Sequence, residues 1–217
     1  MPEAKNAKIA GRNLNIILPG TWANVPLDSQ KSARTFVKAL VRRQVGNDDR
    51  LARVRADAVE QTMTNITEAM EIGVHTYLMS LEILPGVPFP AAILMIDEPW
   101  PDEARPGLGE GDLARALREG FPGGAVLEMR STPVLRIAEF ADSDLLERPV
   151  KVLRLEYHIP YPDLTRVLYA RVSVPNLPAA EPFAQLFDEI IDSITFLQAP
   201  EGAPEAGELG DTGGTGE

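Results

Sequence analysis

Read for the spacing of apolar positions, the chain opens on a short strand, Asn13 to Leu18. Its run Leu-Asn-Ile-Ile-Leu stops at Pro19-Gly20, a pair that fixes one backbone angle and frees the next. Trp22 follows at once and is assigned to the core. Asp28 or Ser29 can cap a helix reaching about Val45, because Ala33, Val37, Leu40, Val41 and Gln44 recur at helical spacing; Gly46-Asn47 ends it. A longer helix opens at Asp48 and Asp49 and runs to about Ile72. Its stripe is Leu51, Val54, Ala58, Met63, Ile66, Ala69 and Met70, and Gly73 stands at its stop.

From Val74 the period shortens to that of a strand, reaching Leu84, and Pro85-Gly86 separates it from a second strand, Pro90 to Ile96, as in a hairpin. Residues 97 to 112 mix Pro, Gly and acids, and the expectation is a long surface loop with neither helix nor strand. Asp112 then caps a short helix, Leu113 to Glu119, closed by Gly120. Strands fit Ala125 to Arg130, Val134 to Phe140, Val150 to Ile159 and Thr165 to Val174, and their short connections favour antiparallel neighbours. A helix over Ala179 to Asp192 carries Phe183, Leu186, Phe187, Ile190 and Ile191 on one side, and Ser193 to Leu197 adds a last strand. The pattern predicts an α+β protein in which helices flank an antiparallel sheet of about six to seven strands. Residues 1–12 form a flexible start, 13–197 one domain, and 198–217 a disordered acidic tail.

Composition agrees with that division. Hydrophobic residues make up 44% of the 217, ample for a core, and aromatics only 6%, so the core is mainly aliphatic. The net charge of -11 disfavours nucleic acid, whose backbone calls for clustered cations. Glu201, Glu205, Glu208, Asp211 and Glu217 place almost half of that charge in the tail, leaving the domain only moderately acidic. The start, Met1-Pro2-Glu3-Ala4-Lys5, lacks the apolar core of a secretory signal, and stretches such as Ala91 to Ile96 are too short to cross a bilayer, so a cytoplasmic protein without membrane insertion is expected. With no cysteine, disulfides and thiolate chemistry are excluded. Arg well in excess of Lys, with frequent Ala, Pro and Gly, suits a GC-rich bacterial source.

The segment Leu14-Asn-Ile-Ile-Leu-Pro-Gly-Thr-Trp22 and the stretch Arg166 to Val174 followed by Phe187-Asp-Glu-Ile190-Ile-Asp-Ser193-Ile-Thr-Phe196 resemble the Mog1/PsbP-like fold family over about a quarter of the chain. The resemblance implies an αβα sandwich used to bind other proteins, including secretion cargo in some bacterial relatives, with no shared active site. The helix of residues 48–72 and the stretch 97–112 depart from the family pattern.

Several groupings could carry chemistry. His158, with Glu156 and Asp163 nearby, is either a general base or a hydrogen-bonded structural histidine; His75 also falls in a strand pattern. Gly107-Leu-Gly-Glu-Gly111 has the look of a phosphate loop, but Glu110 and Asp112 oppose an anion. Asp97-Glu98, Asp102-Glu103 and Asp142-Ser-Asp144 are weighed as cation sites against solvated acidic loops. The clearest feature outside the core is basic. Lys31, Arg34, Lys38 and Arg42 share one face of the first helix, and Arg43, Arg50, Arg53 and Arg55 continue the charge. Trp100, between two prolines, is either an exposed binding anchor or a pin for its loop.

The reading is therefore a non-enzymatic protein-binding or adaptor module linked to a bacterial secretion or toxin system. It needs no cofactor or metal, and its expected partner is a protein of acidic character. Candidate contacts are Lys31, Arg34, Lys38, Arg42 and Trp100. The alternatives are a small hydrolase or metal-dependent enzyme centred on His158 and a structural homo-oligomer using an exposed sheet face or the stripe of residues 51 to 70.

Overall fold

The computed structural model describes residues 4–9, 14–143, 150–175 and 180–197. In chain order the strands are β1 (Ala4–Ile9), β2 (Leu14–Pro19), β3 (Thr21–Asn24), β4 (Thr76–Leu84), β5 (Val87–Pro88), β6 (Ala92–Glu98), β7 (Ala125–Leu127), β8 (Val134–Ser143), β9 (Val150–Pro160), β10 (Val167–Pro175) and β11 (Thr195–Phe196). The α-helices are α1 (Gln30–Val45), α2 (Ala52–Glu71), α3 (Arg105–Glu110), α4 (Leu113–Gly120) and α5 (Glu181–Asp192). The α+β class is as expected, but the strands divide into two sheets. The larger has eight strands in the order β3-β4-β6-β10-β9-β8-β7, with β5 on β4, and the smaller is β1-β2-β11. All neighbouring pairs run antiparallel.

Alternation along β10 organises the molecule. Leu168, Ala170, Val172 and Val174 point to one face of the large sheet, while Tyr169, Arg171 and Ser173 belong to the other. The first face is covered by the small sheet and α5: Ile16 and Leu18 of β2 and Phe187, Ile190 and Ile191 of α5 pack with Ile93, Met95, Leu155 and Tyr157. Phe187 is fully buried, worth about 2–3 kcal/mol in apolar area removed from water. Polar groups tie the layer down. Asp188 on α5 accepts from the Tyr157 hydroxyl at 2.9 Å and pairs with Arg136 of β8. On the same helix, Asp192 accepts from Arg130 at 2.8 Å.

The second face carries α1 and α2 over β4 and β6, where Val37, Val41, Val59, Met63 and Ile66 meet Tyr77 and Leu94. Ser29 caps α1 by accepting from the Ser32 amide at 3.1 Å, while Asp48 caps the 3-10 turn Asp49–Leu51 that leads into α2.

Two expectations need correction. Residues 97–112 are structured: β6 continues to Glu98, Asp102–Ala104 makes a 3-10 turn, and α3 follows. Pro106 sits in the first helical turn, where a missing amide hydrogen costs nothing, and Gly111 closes α3 in the left-handed conformation (φ 73°). Residues 4–9, expected in a flexible start, form β1 against β2. The tail expected over 198–217 lies outside the described residues.

Candidate binding sites

The second sheet face is only partly covered, and this creates a groove. Phe121, just after α4, stacks on His158 of β9 with ring centroids 3.7 Å apart, so that end of the strand is closed. Towards the other end of β9, Val152 and Arg154 remain open, together with Arg171 and Ser173 of β10. The result is a cavity of about 710 Å³. Tyr77, Met79, Ala92 and Leu94 supply its apolar floor, α2 supplies a wall through Asn65 and Ala69, continued by Ile72 just past its end, and Phe89 lies at the β5–β6 side. Arg154 is paired with Glu139 of β8 at 2.8 Å. Arg171 has no ion-pair partner among the described residues, and its Nε is buried without a hydrogen bond. The glutamate opposite it in the register is Glu156, which makes no ion pair with it. Burial, and after it the Glu156 charge, pushes the Tyr169 phenol up and likewise raises the Glu98 carboxyl.

Sequence reasoning did not single out Arg171. The signal was an arginine at an alternate position of an otherwise apolar strand, Val-Leu-Tyr-Ala-Arg-Val-Ser-Val. That position marks a side chain on the face opposite the core, but strand order is needed to show what that face meets.

The basic face of α1 is partly neutralised. Arg34 makes two bonds to Glu60 of α2, at 2.5 and 3.1 Å, and this hydrogen bonding, with the opposite charges behind it, pulls Glu60 down and pushes Arg34 up from their ordinary values. Lys31, Lys38 and Arg42 stay exposed. Lys38 and Arg42 line a cleft of about 500 Å³ between α1 and α2, opposite Arg55, whose guanidinium also bonds the carbonyls of Gly46 and Asp48. Asp49 and Glu60 share the cleft. The stripe on α2 turns inward through Val59, Met63, Ile66 and Ala69, which leaves Leu51 and Val54 exposed at its start.

Trp100 folds back. It is half-buried, its centroid lies 6.2 Å from that of Phe121, and its indole nitrogen is buried without a partner. Of the two readings of this residue, the geometry is that of the pin. Trp22 donates its indole hydrogen to the Pro19 carbonyl at 2.8 Å and packs on the main core.

His158 is 6% exposed, between Phe121 and Tyr169, with Nδ1 unbonded. Burial lowers its pKa to about 4 from an ordinary 6.5, so the imidazole is neutral at pH 7. Asp163 caps its own turn by accepting from Thr165 and does not orient this ring. Because the folded pKa is the lower one, the unfolded chain binds this proton first as pH falls. Stability from His158 is fully present above about pH 6.5 and is lost towards pH 4, by at most about 3 kcal/mol. Urea midpoints measured across that window should therefore fall more steeply for the natural protein than for His158→Gln; equal slopes would refute the assignment.

His75, just before β4, meets Asp97 at 3.2 Å, and Asp97 also accepts from Tyr161 at 2.7 Å and Arg166 at 3.2 Å. This network consumes Asp97 in joining β4, β6 and the β9–β10 turn. Asp102 pairs with Arg105 at 2.7 Å, while the side chains of Asp142 and Asp144 lie outside the described residues. No group of three His, Cys, Asp or Glu suited to a metal occurs among the described residues. In the Gly107–Gly111 segment Gly107 serves packing: a Cβ there would lie 2.5 Å from the Ala116 amide nitrogen, so α3 and α4 could not approach as they do. Glu110 is bound by Arg115 at 2.7 Å.

Together the fold and the groove define an α+β protein with a half-covered antiparallel sheet and no helix, among the described residues, long and apolar enough to cross a membrane. No family model matches the chain, and no curated protein matches it. Among solved structures it is similar to LpqN of Mycobacterium tuberculosis, described as involved in cell envelope biogenesis. The two share 11% identity with a TM-score of 0.36 over 89% of this chain and 91% of that one, a likeness too distant to carry a functional argument.

Proposed function

We propose that the chain is a non-enzymatic binding module, an adaptor of Mog1/PsbP-like kind that serves a secretion or toxin system in a bacterial cytoplasm and takes an acidic protein segment at the α1–α2 cleft. The observation that supports this most is the pair Lys38 and Arg42, exposed and lining one cleft with Arg55, in a chain whose net charge is -11. A local concentration of cations on an acidic protein steers an acidic partner to one place. The partial neutralisation of Arg34 by Glu60 narrows the candidate surface to the end of α1 that bears Lys38 and Arg42. Against the hydrolase alternative, His158 is buried beneath Phe121 and its lowered pKa of about 4 makes it a weak base.

The test is crosslinking capture from the native lysate, with crosslinks mapped by residue. The expected result is a stoichiometric acidic protein linked near Lys38, weakened roughly tenfold or more by Lys38→Glu with Arg42→Glu and by raised salt. Crosslinks that cluster elsewhere, or capture that ignores the double charge reversal, would overturn the reading. Light scattering of the purified chain separates a self-pairing oligomer from this adaptor.

A further inference from the structure

We propose that the groove on the second sheet face is a binding site for a small amphipathic carboxylate: the head is held by Arg171 and an unbranched apolar tail lies over Tyr77, Met79, Ala92 and Leu94. The α1–α2 cleft is a separate site, so this inference stands or falls independently of the adaptor reading.

Size, charge and lining agree on that ligand class. The cavity, about 710 Å³, falls within the roughly 300–1,000 Å³ of sites that enclose small organic ligands. Two guanidinium groups line it, and they are not equivalent. Arg154 is satisfied by Glu139, whereas Arg171 has a buried, unbonded Nε and no ion pair among the described residues. A partly desolvated guanidinium without an ion pair is costly to maintain, and the group that best relieves it is a carboxylate, which matches the planar donor fork. The protein's own candidate, Glu156, lies opposite Arg171 in the β9–β10 register but makes no ion pair with it. On the β6 side the register opposite Arg171 is Leu94, so apolar floor begins directly beside the charge. It continues through Ala92, Tyr77 and Met79, and methionine adapts readily to a flexible chain. Glu68 of α2 also lines the groove and is exposed to solvent; it would disfavour a head group of higher negative charge, which argues for a single carboxylate over a phosphate ester.

The experiment titrates the full chain with dodecanoate, dodecanol and dodecyltrimethylammonium by calorimetry, following the Met79 methyl resonance for location. Saturable one-site binding of dodecanoate that moves the Met79 signal is expected, with dodecanol weaker by roughly tenfold or more and the cationic amphiphile weaker still. Arg171→Met should bring dodecanoate down to the affinity of dodecanol while leaving dodecanol unchanged, and Arg171→Lys should fall between. If Arg171→Met does not fold, the acid-to-alcohol ratio in the natural protein and its reduction in Arg171→Lys decide the matter. No saturable binding up to roughly 1 mM, equal binding of acid and alcohol, or binding that leaves Met79 unmoved overturns the proposal.

Discussion

Gly20→Ala is expected to destabilise the protein by about 3 kcal/mol or more, measured as a fall in the urea midpoint at unchanged slope. Gly20 is the single residue between β2 of the small sheet and β3 of the large one, and it adopts φ 76°. A Cβ there would stand 2.0 Å from the Glu82 carbonyl oxygen and 2.8 Å from that of Ile83. Both are backbone atoms of β4, so the clash is relieved only by moving a strand whose pairing with β3 already shifts register at Thr21/Trp22. Gly86 provides the control. It has the same φ of 76°, but a Cβ added there would meet no atom within 4 Å, so Gly86→Ala should cost only the backbone contribution, about 1 kcal/mol. Similar losses at both sites would show that the close approach of the two sheets at Gly20 is not what constrains that residue.

Asp188→Ala is expected to cost about 3 kcal/mol, the second large effect. The carboxylate serves two groups at once, the fully buried Tyr157 hydroxyl and the three-quarters-buried Arg136 guanidinium, and its removal leaves both without that partner beneath α5. Burial pushes the Asp188 carboxyl up, against the opposing pull of Tyr157 and Arg136. Tyr157→Phe removes one hydrogen bond and its donor together, so it should cost only about 1 kcal/mol. Thermal unfolding of the two single variants and the double variant forms the cycle. If Asp188→Ala is no worse than Tyr157→Phe, the Arg136 pairing contributes nothing to holding α5.

Much of the local structure was legible because it follows from side-chain periodicity and backbone chemistry. The α1 boundaries, the caps at Ser29 and Asp112, and strands β4, β6 and β8 to β10 all rest on information carried within a few residues. The segment 97–112 defeated the same logic because Pro and Gly break a helix only at certain positions. Pro106 fits the first turn of the helix it was expected to exclude, and Gly107 lets that helix pack against Ala116. Trp100 could not be assigned from its neighbours, since whether it anchors a partner or pins its own loop depends on Phe121, which lies beyond α3 and α4.

By itself, then, the sequence determined α1, α2, α4, α5 and most of the longer strands, the α+β class, the acidic balance, and a basic face on α1, all properties of local spacing and residue count. The tertiary structure alone decided how that material was used. Strand order placed Arg171 between Leu94 and Glu156 and left the groove uncovered beside α2. It also brought Glu60 to Arg34 across 26 residues and closed Phe121 over His158. Such pairings depend on which distant segments share a face, and residue spacing carries no information about that.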